Sequence, residues 1–444
     1  MTPYRIAEFM SSLFDIRHAA GSLLDAGAGV GSLTIAASKV LNITSIEAWE
    51  IDPVMRHYLS KNLDELGMEY RVHCTDFIEQ AVNMLQFSSG TRFMYAVMNP
   101  PYKKINSDSR QRLLVRQVGL ETVNLYTAFL ALAILLMEPQ GQLVVIIPRS
   151  FCNGPYYKPF RQFMLRECAM DHIHVFGSRS KAFEEDAVLQ ENVILKLTRG
   201  AAQGSVVLSF SLDMQFADLQ RTKCGFDEIV QPGDREMFIH IPTHKVQTSP
   251  GLFSHTLSQL GLEVCTGPVV DFRLKEWFSH APGEGTVPLL YPHHFRGDDF
   301  LYPREHKKPN ALKRSSEVNK WLMPNGYYVL VKRFSAKEER RRVVAYVHDP
   351  DRLKSSFVGF ENHWNIYHVR KEGLDEITSR GLACFLNSSI LDSYFRLFSG
   401  HTQVNATDLR NIRYPGPDQL KEMGRQYRHG LAQEEIDSIV TRFQ

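Results

Sequence analysis

Along the first 150 residues, short unbroken apolar runs alternate with stretches whose apolar positions recur every three or four places. Ile6, Phe9, Met10, Leu13 and Phe14 share one face of an opening helix. Runs at 22–26 (SLLDA), 44–50 (TSIEAWE), 71–74, 93–98 (FMYAVM) and 142–147 (QLVVII) read as strands, with helices at 31–40, 54–66 and 125–137. This alternation predicts an α/β domain whose parallel sheet is covered on both faces. Ligands of such sheets bind outside the carboxyl ends of the strands. The apolar run 126–137 (YTAFLALAILLM) is too short to cross a bilayer and reads as a buried helix, so no membrane association is expected.

Beyond a further strand predicted at 188–197 the periodicity loosens. Residues 206–250 read as a linker with a few strands, and 251–444 as a mixed α+β domain in which helical spacing returns at 377–398. The division expected is therefore 1–205, a linker, and 251–444. A length of 444 residues with 43% apolar and 23% charged positions suits two globular domains rather than a disordered chain. Six scattered cysteines have no metal-ligand spacing, so reduced thiols are expected, with neither a disulfide framework nor a metal site. No basic segment followed by an apolar stretch opens the chain, and a cytoplasmic location is expected. Charge adds an asymmetry. Residues 1–100 carry seven Lys and Arg against eleven acids, whereas 301–350 carry twelve against five. An acidic front suits a small-molecule site, and the basic segment suits a polyanion.

Candidate chemistry falls at strand ends. Asp25-Ala-Gly27-Ala-Gly29-Val-Gly31 follows the first strand and opens a helix, where glycines let the backbone approach a nucleotide closely. Asp25 is placed to stabilise the α-amino group of a methionine moiety. Glu50, about 20 residues on, can accept from both hydroxyls of a ribose, with Ile51 packing on the adenine. Asp76 ends the third strand, placed to accept from an adenine amine, with Phe77 covering the ring. Each acid alone reads equally well as a helix cap; three at successive strand ends form a set.

Asn99-Pro100-Pro101-Tyr102 follows the fourth strand. The prolines fix the backbone and project the Asn99 side-chain oxygen and the Pro100 carbonyl as paired acceptors. An amine held by two acceptors is steered toward a pyramidal nitrogen whose lone pair can attack an electrophilic methyl. Tyr102 offers a ring face to a planar base, and Asn rather than Ser at the first position favours adenine N6 over cytosine N4. Farther on, residues 332–342 place Lys332, Arg333, Lys337, Arg340, Arg341 and Arg342 among two acids, between strands expected at 327–331 and 343–347. Such a loop suits phosphate or groove contact. Trp364 and Tyr367 read as core.

With these motifs the chain resembles the N6-adenine DNA methyltransferases of the gamma class, type II restriction–modification methylases. In that class the cofactor motif precedes NPPY and a target-recognition domain is C-terminal. The resemblance extends to Thr2-Pro3-Tyr4-Arg5-Ile6-Ala7-Glu8-Phe9-Met10, to 124–126 and 147–149, and to the segments at 385–388, 400–409 and 412–415. It implies a Rossmann-like domain that binds S-adenosyl-L-methionine, Thr2 contacting its methionine part and Asn99 serving both cofactor and base. It also implies double-stranded DNA as substrate, a flipped-out adenine, and a separate restriction endonuclease acting on the same site. Phe183 is implied to close the base's opposite face, with Phe176 as a competitor. Rival readings are an NPPY-type protein-glutamine or ribosomal RNA methyltransferase, and a catalytically inactive DNA-binding specificity protein.

Overall fold

The protein is described here from a computed structural model covering residues 2–15, 19–87, 90, 92–177, 192–242, 253–296, 299–335, 339–400 and 402–443. It divides into two compact units, Met1–Ile241 and Pro242–Gln444.

The first unit is built on β1 (Gly21–Ala26), β2 (Ile43–Trp49), β3 (Tyr70–His73), β4 (Phe93–Met98), β5 (Met137–Pro148), β6 (Cys168–Phe176), β7 (Asn192–Arg199), β8 (Val206–Ser211) and β9 (Gln220–Cys224). They form one sheet in the order β3-β2-β1-β4-β5-β7-β6-β8-β9. The first five are parallel, as expected, but β7 runs antiparallel to both β5 and β6. A strand buried on both faces shows the same apolar run whichever way it points, so direction is not written in the pattern. The residues expected as a linker supply β8 and β9, and the unit continues through buried Ile229, Phe238 and Ile239 to Ile241. β9, Gln-Arg-Thr-Lys-Cys at the sheet edge, has no apolar alternation to betray it.

Helices α1 (Tyr4–Ser11), α2 (Ser32–Ser38) and α3 (Pro53–Asp64) pack on one face of the sheet, against Leu23, Tyr95, Val97, Val144 and Ile146. Helices α4 (Phe77–Phe87), α5 (Arg110–Gln117), α6 (Leu125–Leu136) and α7 (Lys158–Glu167) cover the other, against Leu24, Ala96, Met98, Leu143 and Val145. The alternation of these two sets along each strand is the period-2 pattern of a sheet buried on both sides. The cap of α3 is local: Asp52 accepts from the amides of Val54 and Met55, and Pro53 occupies the first turn. No described helix is long and apolar enough to cross a membrane.

The second unit holds an antiparallel sheet ordered Glu263–Thr266, Trp364–His368, Tyr328–Lys332, Ala345–His348, a five-stranded sheet whose strands interleave with these in sequence, and a C-terminal set of helices. Trp364 and Tyr367 are fully buried core residues. The helical stretch expected at 377–398 is two helices, Glu376–Leu386 and Ser389–Phe398. They break at Asn387 and Ser388, where the Ser388 hydroxyl accepts from the Leu391 amide as a cap.

Candidate active site

The turn after β1 is set by three left-handed glycines, Gly27 (φ 80°), Gly29 (φ 59°) and Gly31 (φ 86°). The amides of Gly27 and Ala28 both donate to the Trp49 carbonyl at 2.9 Å, which bends the chain over the end of β2. The space beside Gly29 is open: a Cβ there would meet nothing within 4 Å. Glu50 joins the two strand ends. One carboxylate oxygen accepts from the Gly29 amide and the other from the Asp52 amide, each at 2.8 Å. Asp76 is half-exposed and accepts from the Ile78 amide at 2.8 Å as α4 begins. Ile51 is 69% exposed and available to a ligand, but Phe77, expected to cover one, is 2% exposed and packs against Trp49 and Phe129. Its position opens α4, and the helix turns its ring inward to the core.

Asp25 is fully buried. One oxygen accepts from the Thr34 hydroxyl at 2.5 Å, and the other has no hydrogen-bond partner. Burial pushes its carboxyl up to about 7, with the Thr34 hydrogen bond opposing and the charge of Glu50 adding. An orphaned buried carboxylate oxygen beneath an open glycine turn fits a ligand that brings a cationic or N–H donor. Thr34 has no motif of its own; only its position in the first turn of α2 would have singled it out.

The second half of the site follows β4. Asn99 donates from its side-chain nitrogen to the Thr2 hydroxyl (3.1 Å) and accepts at its side-chain oxygen from the Tyr102 hydroxyl (2.8 Å). Thr2 and Asn99 are 97 positions apart in the chain and meet because α1 packs against the sheet. Pro100 is buried and Pro101 exposed. Behind Tyr102 stands Tyr126, edge to face at 6.3 Å, and its hydroxyl bonds the Ser150 hydroxyl at 2.8 Å. Ser150 in turn reaches the Tyr157 hydroxyl at 3.3 Å, which also accepts from the side chain of buried Asn124. This polar chain was not anticipated, because its members are distant in sequence and individually ordinary. Phe183 lies outside the described residues.

In the second unit, Tyr328–Lys332 and Ala345–His348 pair as the expected hairpin, but the basic run between them is not uniformly outward. Arg342 is 1% exposed, lies over the Phe395 ring, and its amide donates to Asp392. The preceding Arg341 is half-buried and donates to the Asn387 carbonyl at 2.7 Å. Lys332 and Arg333 lie over Tyr346 and Phe334, and Arg340 is exposed. The expectation of Arg342 as a nucleic-acid contact is therefore corrected. Its stem and guanidinium fill space against the helix Ser389–Phe398, which a sequence pattern of charge does not reveal. Lys337 lies outside the described residues.

Residues 40–183 match the family described as Eco57I restriction-modification methylase. Over 98% of its length the chain is 46% identical to the type II methyltransferase M.BsuBI of Bacillus subtilis, covering 92% of that protein. It is a type II restriction–modification methyltransferase. This methyltransferase is also 42% identical, over its whole length, to M.PstI of Providencia stuartii, again covering 92% of the relative. Its fold resembles that of the type IIL restriction-modification enzyme MmeI solved with DNA, with a TM-score of 0.56, 10% identity, and coverage of 95% of this chain and 70% of that one. A second structure, of a DrdV–DNA complex, has a TM-score of 0.53 at 12% identity, covering 96% of this chain and 56% of that one. Among the described residues, no group of His, Cys, Asp and Glu could hold a metal ion.

Proposed function

We propose that the protein transfers a methyl group from S-adenosylmethionine to the N6 amine of an adenine extruded from double-stranded DNA. The observation that carries this reading is the Asn99–Tyr102 segment after β4, with its amide oriented between Thr2 and Tyr102. S-adenosylmethionine, when bound, supplies an electrophilic methyl on a sulfonium. Asp25, with its orphaned oxygen, would hold the α-amino group; Glu50 the ribose; Asp76 and Ile51 the adenine end. Asn99 and the Pro100 carbonyl would accept from the target amine and hold it without reorganisation during transfer. Extruding a base costs a few kcal/mol, offset in part by stacking of about 1–3 kcal/mol on Tyr102. In this reading the first unit binds cofactor and base, the second recognises the DNA site, and a separate restriction endonuclease cuts the same site when it is unmethylated. Nucleoside mass spectrometry of DNA after reaction with methyl-labelled cofactor tests it. Label in N6-methyladenine supports the reading, and label in N4-methylcytosine, RNA or a protein glutamine overturns it.

Three expectations follow from the site. Glu50→Ala should weaken cofactor binding by about 1.5–3 kcal/mol, the worth of hydrogen bonds to a charged group. The loss also frees the Gly29 amide, and calorimetric titration measures both together. Asp25, raised to about 7, must ionise to hold a cation. Cofactor affinity should therefore rise as pH passes from about 6 to about 8, and Asp25→Asn should flatten that rise. The same shift makes the ligand-free protein lose stability as pH climbs from the ordinary carboxylate range through about 7, because the folded state holds the proton more tightly than the unfolded chain. In the second unit, Arg340→Ala should lower the magnitude of the salt slope of DNA binding by about 1. Arg342→Ala should leave that slope alone and lower the melting temperature. An unchanged slope for Arg340→Ala would make this residue a solvated charge only.

A further inference from the structure

The charge of the chain reverses at Tyr102. The first hundred residues are net acidic, but 103–116 carry Lys103, Lys104, Arg110, Arg112 and Arg116 against the single acid Asp108. The three arginines are committed elsewhere. Arg110 pairs with Glu79 at 2.5 Å, and Arg112 and Arg116 both pair with Glu121, at 2.5 and 2.8 Å. Lys103 and Lys104 are exposed and have no carboxylate partner among the described residues. Their backbone is nonetheless fixed. The Leu125 amide donates to the Lys103 carbonyl and the Ile105 amide to the Val123 carbonyl, both at 2.8 Å, so Lys104 faces Asn124 in a short antiparallel bridge. The bridge ties the two lysines to the start of α6, whose Tyr126 stands edge-on behind Tyr102.

An exposed cation with no carboxylate partner, next to the segment proposed to hold the base, is a place for an anion from outside the chain. The two ammonium groups stand on adjacent residues of one anchored segment, directly after the residue on which a base would stack. We propose that Lys103 and Lys104 hold the two phosphates that flank the extruded adenosine, one on each side, and so act as positioning residues for the methyl acceptor. This rests on the DNA-adenine reading above. Lysine suits the task, since a point charge on a flexible stem can follow a phosphate as the nucleotide rotates out.

The test uses the full chain, plasmid DNA and methyl-labelled cofactor, with kcat/KM measured across a range of salt. Lys103→Gln and Lys104→Gln should each reduce the magnitude of the slope of log kcat/KM against log salt by about 1, and the double variant by about 2. Affinity for S-adenosylmethionine alone should stay unchanged. Lys104→Arg should keep the wild-type slope, and Arg116→Gln, whose charge already faces Glu121, should leave it intact. Wild-type slopes in both lysine variants, with adenine still labelled by the parent enzyme, would overturn the assignment of the phosphates alone. A parent enzyme that labels no adenine would instead bring down the reading on which the proposal rests.

Discussion

Replacing Asn99 by alanine is expected to lower the rate of methyl transfer by at least about 10²–10³-fold, the cost of deleting one preorganised polar partner of a reacting group. Two contacts are lost at once. The amide oxygen that accepts from Tyr102 is the one proposed to accept the target amine, and the amide nitrogen is the tie to Thr2. Cofactor affinity should fall far less than the rate, because Asp25, Glu50 and Asp76 are untouched. Tyr102→Phe separates the two duties of the tyrosine. It removes the hydroxyl that orients Asn99 but keeps the ring face, so it should lower the rate modestly with little change in DNA affinity. Tyr102→Ala should additionally lose the stacking of about 1–3 kcal/mol. Single-turnover rates with labelled cofactor, set beside calorimetric binding of cofactor alone, decide the matter. An Asn99→Ala enzyme with near-normal rate would remove the paired-acceptor mechanism.

The largest effect on stability is expected at Gly381. The helices Glu376–Leu386 and Pro417–Gln426 cross so closely that a Cβ at Gly381 would overlap the Leu420 carbonyl, and one at Gly424 the Ile377 carbonyl. Alanine favours a helix over glycine by about 1 kcal/mol. That gain is overwhelmed here, because the obstacle is backbone and no rotamer relieves it. Gly381→Ala should destabilise by about 3 kcal/mol or more, lowering the melting transition by roughly 6–12 °C for a unit of this size. Gly283→Ala is the matched control: the residue is exposed, its Cβ would meet nothing within 4 Å, and its melting temperature should hardly move. Scanning calorimetry of the three proteins is the measurement. A Gly381→Ala protein melting with the parent would mean that the crossing yields freely.

Several elements were legible because their cause is local. β1, β2, β4 and the core of β5 are apolar runs bounded by turn residues, and α3 carries its own cap in Asp52-Pro53. Asp25, Glu50, Asp76 and Asn99 could be placed at strand ends for the same reason, since a strand followed by a glycine turn, a cap or a proline pair marks its own carboxyl end. Other features had no such mark. The edge strand β9 has no apolar alternation, and the antiparallel course of β7 leaves no trace in a run buried on both sides.

By itself, then, the sequence determined the alternating order of strands and helices, the glycine turn, and the chemistry gathered after β1 and β4, all of which depend on neighbours a few residues away. Only the tertiary structure decided that Thr2 reaches Asn99, that Thr34 holds one oxygen of Asp25 while the other is orphaned, and that Phe77 turns into the core. It also decided that Arg342 is packing rather than surface charge, and that Gly381 and Gly424 are the contact surfaces of two crossing helices. The physical reason is the same throughout. A side chain's type limits which contacts it can make, but which of them it makes depends on residues tens of positions away that folding brings within hydrogen-bonding or van der Waals distance.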